Sequence, residues 1–155
     1  MSQRRNIVNF LVDNLKLIDG TKSPLSNYRF KTDLHENVYR GYKFVDEIND
    51  YPSVYLVAGK ETRSYQTAGT TQSQLLIALR AYIYDEEYEL INENYGNLTS
   101  DIEHVIYNLP KTHSDYQILD VIIQSINTDE GLLTPYGIVE LQILISYEVD
   151  LQGEL

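Results

Sequence analysis

The sequence predicts an α+β fold: a mainly antiparallel sheet of about five strands packed against two helices, in a two-layer sandwich. Three observations predict it. Apolar residues recur every three or four positions in two segments, 2–18 and 85–109. They alternate with polar ones elsewhere, most cleanly over residues 137–150. The strand-like segments are joined by short connections, which usually link antiparallel neighbours.

The first element is an amphipathic helix over residues 2–18, with Ile7, Val8, Phe10, Leu11, Leu15 and Ile18 on its apolar face. Ser2 is placed to cap it, and Asp19-Gly20 to end it. Residues 21–27 carry Ser, Pro and Asn and read as loop. Residues 28–44 are ambiguous: Tyr28, Arg29 and Phe30 open a short strand, and residues 38–45 form a second. Residues 46–52 are polar and turn-like. Residues 53–59, dense in β-branched side chains and bounded by Pro52 and Gly59, are a clear strand. Residues 60–71, rich in Ser and Thr, read as a hairpin arm or mobile loop. Residues 74–84 form the next strand. Leu75, Ile77, Leu79, Ala81 and Ile83 share one face; Leu76, Ala78, Arg80, Tyr82 and Tyr84 share the other. The second face is less apolar, so this strand is expected to be central, with that face partly covered.

The main helix spans residues 85–109. Ile91, Tyr95, Leu98, Ile102, Val105 and Leu109 form its stripe, which runs straight through Gly96. Asp85 is placed to cap it, with Glu86, Glu87 and Glu89 complementing the dipole; Asn108 and Pro110 mark its end. Residues 116–126 read as a strand and 127–136 as a connection. In residues 137–150, Val139, Leu141, Ile143, Ile145, Tyr147 and Val149 face the core, while Glu140, Gln142, Ser146 and Glu148 face out.

At 155 residues the chain is expected to be one domain, with a core over residues 2–150 and a frayed segment at 151–155. A monomer of this size buries about 70% of its unfolded surface, enough for a core without staples. With no Cys, disulfides, thiolate metal sites and Cys nucleophiles are excluded. The formal charge of −11 disfavours ordinary nucleic-acid binding and makes self-association salt-sensitive. Arg4 and Arg5 begin like a leader segment, but Asn9, Asp13, Asn14 and Lys16 interrupt the apolar run, so no export signal and no membrane partner are expected. Fourteen Tyr stand against three Phe and no Trp, a balance that suits strand surfaces and interfaces.

Catalytic chemistry finds little to work with. His35, His104 and His113 are scattered, without metal-ligand spacing. Neither a phosphate-cradling Gly pattern nor a Gly-x-Ser-x-Gly elbow occurs. The acidic runs 85–87 and 129–130 sit at a helix start and in a turn, where acids serve local roles. No enzyme, cofactor or metal is expected. Arg80, alternating with apolar neighbours, should lie on a half-buried face, in an intramolecular ion pair or a contact between subunits.

The order of elements, with PSVYLVAGKETR (residues 52–63), LLIALRAYIYDEE (75–87), ILDVIIQSI (118–126) and YGIVELQILISYEVD (136–150), resembles the tail terminator (tail completion) proteins of long-tailed bacteriophages, the T5-like branch most. The resemblance covers residues 2–150 and is weakest over 28–49. It implies a structural virion protein that forms a hexameric ring on the head-proximal end of the tail tube, stops tube polymerisation and meets the head-completion or neck protein. It implies the virion tail as location, with the host cytoplasm during assembly, and DNA passing through without specific binding. A head-to-tail interface closes into such a ring, and exposed sheet edges offer main-chain pairing to a neighbour. Candidate contact residues are Arg63, Tyr65 and Gln66 in the first long connection, Asp129 and Glu130 in the second, and Arg80. The rival readings are another head–tail connector or neck ring component, a small-ligand binding domain, or an acidic non-enzymatic adaptor; a deep apolar pocket or a strictly monomeric state would separate the last two.

Overall fold

The strictly alternating segment 137–150 builds the middle of the sheet. In the computed structural model, which describes residues 3–65, 70–110 and 117–150, it is strand β5 (Tyr136–Asp150) and pairs antiparallel on both sides. On one side lies β3 (Thr70–Tyr84), in register along the full length of both strands. On the other lies β4 (Gln117–Thr128), whose ladder is interrupted at Leu119 and at Gln124. Beyond β3 come β2 (Ser53–Tyr65), antiparallel, and β1 (Val38–Arg40), which closes the order β1-β2-β3-β5-β4. β3 is thus the central strand, as its two-faced apolar pattern predicts.

The helices, α1 (Gln3–Leu15) and α2 (Tyr88–Tyr107), both cover one face of this sheet. α1 packs over β1 and β2, α2 over β3, β4 and β5, and the two touch each other. Their stripes meet the inward sheet residues in one core. Ile7, Leu11 and Leu15 of α1, the five stripe residues Ile91, Tyr95, Leu98, Ile102 and Val105 of α2, Leu109 just past the helix, which ends at Tyr107 rather than 109, and Leu75, Ile77, Leu79, Val139, Leu141, Ile143 and Ile145 are buried in it.

Several expectations change. α1 stops at Leu15, and Ile18 is buried from the turn that follows; Ser2 lies outside the described residues. Tyr28, Arg29 and Phe30 form no strand; Arg29 makes only an isolated bridge to Lys22. The second strand of the ambiguous region shrinks to β1 and runs parallel to β2. A parallel return needs a connection of about a dozen residues, and residues 41–52, with a 3-10 turn at Val45–Glu47, supply it. Of the two readings of residues 60–71, the hairpin arm is the one present: main-chain pairing continues between β2 and β3 past the last apolar residues, over residues 60–65 and 70–73. α2 begins at Tyr88 with Glu87 at its N-cap, and Asp85 acts two residues earlier, its carboxylate accepting from the Glu87 amide at 3.0 Å. β4 extends to Thr128, beyond the expected end at 126. His113, the start of the expected strand at 116, and residues 151–155 lie outside the described residues.

Among the described residues no α-helix covers the opposite sheet face. The 41–52 connection folds over part of it: Ile48 packs with Tyr55 and Tyr82, Tyr51 and Ile138 border them, and the Tyr82 hydroxyl donates to the Lys43 carbonyl at 2.8 Å. This is the partial cover expected for the second face of β3.

Candidate assembly interface

The described parts of the two long connections named from the sequence lie at different places on the sheet. The first is the β2–β3 arm. β1 pairs only with Val54 to Leu56, so from Val57 onward β2 is held on the β3 side alone. Arg63 is exposed on this arm and pairs with Glu61 at 3.1 Å. Glu61 in turn accepts the hydroxyl proton of Tyr147, a fully buried side chain of β5. Burial, and then this bond to Glu61, raise the Tyr147 pKa well above that of an ordinary phenol. The bond fixes the base of the arm to the core. Tyr65 is the last residue of β2, opposite Thr71; Gln66 lies outside the described residues.

The second connection is the turn joining β4 to β5, residues 129–135. Asp129 organises it. Its carboxylate accepts from the Tyr95 hydroxyl of α2, from the Leu133 amide at 3.0 Å and from the Ile138 amide at 3.3 Å. Further bonds run from Leu132 N to Asp129 O, from Thr134 N and Oγ1 to Gly131 O, and from Tyr136 N to Leu133 O. Glu130 and Gly131 both adopt positive φ, 57° and 79°, which the turn needs and which glycine adopts without strain. A Cβ on Gly131 would also stand 2.5 Å from the Tyr88 ring, so the turn is braced against α2. Asp129 is therefore bound inward, and Glu130 is exposed beside it.

Arg80 lies on the helix-free face of β3. Its guanidinium bonds Glu140 of β5 at 2.9 Å, across the register pair that joins them, and stacks on the Tyr42 ring at 4.8 Å. Both partners are about one-third exposed (32% and 34%), so the pair contributes about 1 kcal/mol or less. Of the two roles the sequence allows for Arg80, the intramolecular pair is the one present in the folded chain. The candidate residues fall into two groups: Arg80 and Asp129 line one open cleft of about 380 Å³ with Asn127, Thr128, Ile138 and Glu140, and Glu130 follows Asp129 in the turn, whereas Arg63 and Tyr65 lie apart on the arm. Among the described residues, no group of three His or carboxylate side chains is placed to hold a metal ion, and no helix is long and apolar enough to cross a membrane.

The family described as Bacteriophage Tail Tube Terminator Protein matches residues 1–152. The chain belongs to that family. A curated relative, Tail tube terminator protein p142 of Escherichia phage T5, is 33% identical over 96% of this chain and 95% of its own length. A chain from a solved structure described as the virion of native gene transfer agent (GTA) particle is 9% identical, with a TM-score of 0.49 over 88% of this chain and 91% of that one; that likeness is too slight to add to the assignment. The resemblance noted from the order of elements is thus confirmed, down to the T5-type relative.

The sequence did not reveal which residues lock this terminator fold. Asp101 sits inside α2, fully buried. Its carboxylate accepts from the Tyr28 hydroxyl at 2.8 Å, the Lys31 amide at 3.0 Å, and the Thr32 amide and hydroxyl at 2.7 and 2.6 Å. A signal was present: Asp101 falls three residues after Leu98 and one before Ile102, within the apolar stripe. Leu132 was also missed. It is 85% exposed, and Leu132-Leu133 is an apolar pair inside a turn bounded by Gly131 and Pro135.

Proposed function

We propose that this protein is a structural component of the phage tail that caps the head-proximal end of the tail tube as a hexameric ring. It stops tube polymerisation and presents its outer surface to the head-completion or neck protein. The observation that carries the reading is the family match over residues 1–152. The geometry supports it. The sheet is open, with a short parallel strand at one edge and an interrupted strand at the other, and unlike edges make head-to-tail contacts that close into rings. The chain acts as one domain, without catalysis. Its location is the virion tail, reached by assembly in the host cytoplasm. DNA crosses the ring without specific binding, since a chain of charge −11 offers phosphates little attraction.

Molar mass by light scattering tests this across a concentration series at low and moderate salt. Each copy brings −11, so screening should promote association. The expected result is a closed species of about six subunits, with no larger polymers. A protein that stays monomeric at every salt and is not captured by added tail tubes would overturn the reading in favour of an adaptor.

A further inference from the structure

On this acidic chain three arginines gather at one place. Arg4 and Arg5 of α1 and Arg40 at the end of β1 rim a cleft of about 370 Å³ whose floor includes Val8, Leu56 and Ala58. The cleft lies where β1 ends and leaves the edge of β2 open. Arg4 donates to the Gly59 carbonyl at 2.6 Å, so it holds that edge. The ion pairs among the described residues are Asp33–His35, Glu61–Arg63 and Glu140–Arg80; none of them neutralises the cleft.

The opposite edge presents the complement. The 129–135 turn is fixed by its own hydrogen bonds and by Tyr95, yet it holds Leu132 out at 85% exposure beside the exposed Glu130. A rigid turn loses little entropy on docking, and an apolar side chain beside a carboxylate matches an apolar floor rimmed by guanidinium groups. The cleft is at β1 and the turn at β4, the two ends of the strand order. One copy therefore cannot bring them together, whereas a head-to-tail neighbour can.

We propose that Leu132 and Glu130 of one copy seat in the Arg4–Arg5–Arg40 cleft of the next, as the contact that closes the ring. This rests on the ring reading above and names its interface. It moves the cationic partner from Arg63, which is paired with Glu61, to the cleft beside Leu56 and Ala58, earlier on the same strand β2. It also makes Asp129 the positioning residue of the turn rather than a contact.

The test uses the full chain and follows assembly by light scattering, on its own and on tail tube ends. Leu132 is largely free of intramolecular cover, so Leu132→Asp should leave the monomer's circular dichroism unchanged while raising the concentration for half-assembly at least about tenfold. Arg40→Glu should do the same, and Arg40→Glu with Glu130→Arg in one chain should recover most of the loss. The chain has no Cys, so a variant with Arg40→Cys and Glu130→Cys gives a second readout. Mild oxidation should yield a reducible ladder of covalent multimers, where either single variant stops at dimers. Wild-type rings that Leu132→Asp and Arg40→Glu leave intact, with no ladder, would overturn this interface and leave the ring standing. A wild-type chain that never assembles, even on tube ends, would overturn both. Duplex DNA binding that Arg40→Glu abolishes, with ring mass unchanged, would make the cleft a phosphate site and overturn the inference.

Discussion

Asp101 gathers one hydroxyl and two amides from residues 28–32, with a second hydroxyl from Thr32, onto a helix that begins more than fifty residues later. Removing the buried carboxylate leaves those partly buried donors without their shared acceptor, so Asp101→Ala should cost about 2–3 kcal/mol of unfolding free energy in urea. A loss under about 1 kcal/mol would show that the 28–32 segment is held by something else. His104 lies one turn away on the same helix. Its ring stacks on Tyr28 at 4.3 Å, and its Nε2 meets the Ser23 hydroxyl at 2.8 Å. Burial lowers its pKa below the ordinary 6.5, against the opposing pull of Asp101. Burial, then the bond to Asp101, also pushes the Tyr28 hydroxyl up to about 12. Because the unfolded chain takes up the His104 proton more readily, its contribution is full above about 6.5 and is lost as pH falls towards the lower folded-state value. His104→Gln should therefore flatten the decline in Tm between about pH 7 and 5. An unchanged slope would assign the acid sensitivity to the carboxylates.

The elements that sequence made legible are those whose side chains repeat. β5 and β3 alternate without a break, and both helical stripes end up buried. The elements it leaves open or misses are held by main chain or by distant partners. The outer halves of β2 and β3 carry Thr, Ser and Gln, which suit a hairpin arm and a loop equally; the ladder of Thr62 to Tyr65 with Gln74 to Thr71 makes it the arm. β1 is three residues long, too short to print a period, and its parallel direction depends on how the 41–52 connection crosses. Of the candidate interface, Glu130 was legible as a turn residue; the Arg cleft was not, because Arg4 and Arg40 meet only after α1 docks on β2. Two glycines test the same distinction. Gly96, inside α2, has open space where a Cβ would go, so Gly96→Ala should stabilise by about 1 kcal/mol through helix propensity. Gly137, at the start of β5, would place a Cβ 2.7 Å from the Tyr95 hydroxyl and 2.8 Å from the Ile83 side chain. Gly137→Ala should destabilise by about 1–3 kcal/mol. Equal midpoints for the two variants in chemical denaturation would contradict the way α2 is placed on the sheet.

As a whole the molecule is an open sheet with helices on one face, a partly covered second face, and two edges of opposite chemistry. One edge carries the arginine cleft and the unshielded part of β2; the other ends in an acidic, leucine-tipped turn. Such a body suits the proposed repetition around an axis, and with a charge of −11 per copy any association of copies should strengthen with added salt. The central claim is that this ring terminates a tube, and it is tested most directly by adding the protein to growing tail tubes formed by the tube protein of the same phage. Electron microscopy then measures tube length and end density. The account predicts that a small molar fraction of this chain arrests growth and leaves a distinct cap at one end of each tube. Tubes that grow to the same length with bare ends at every ratio would contradict it.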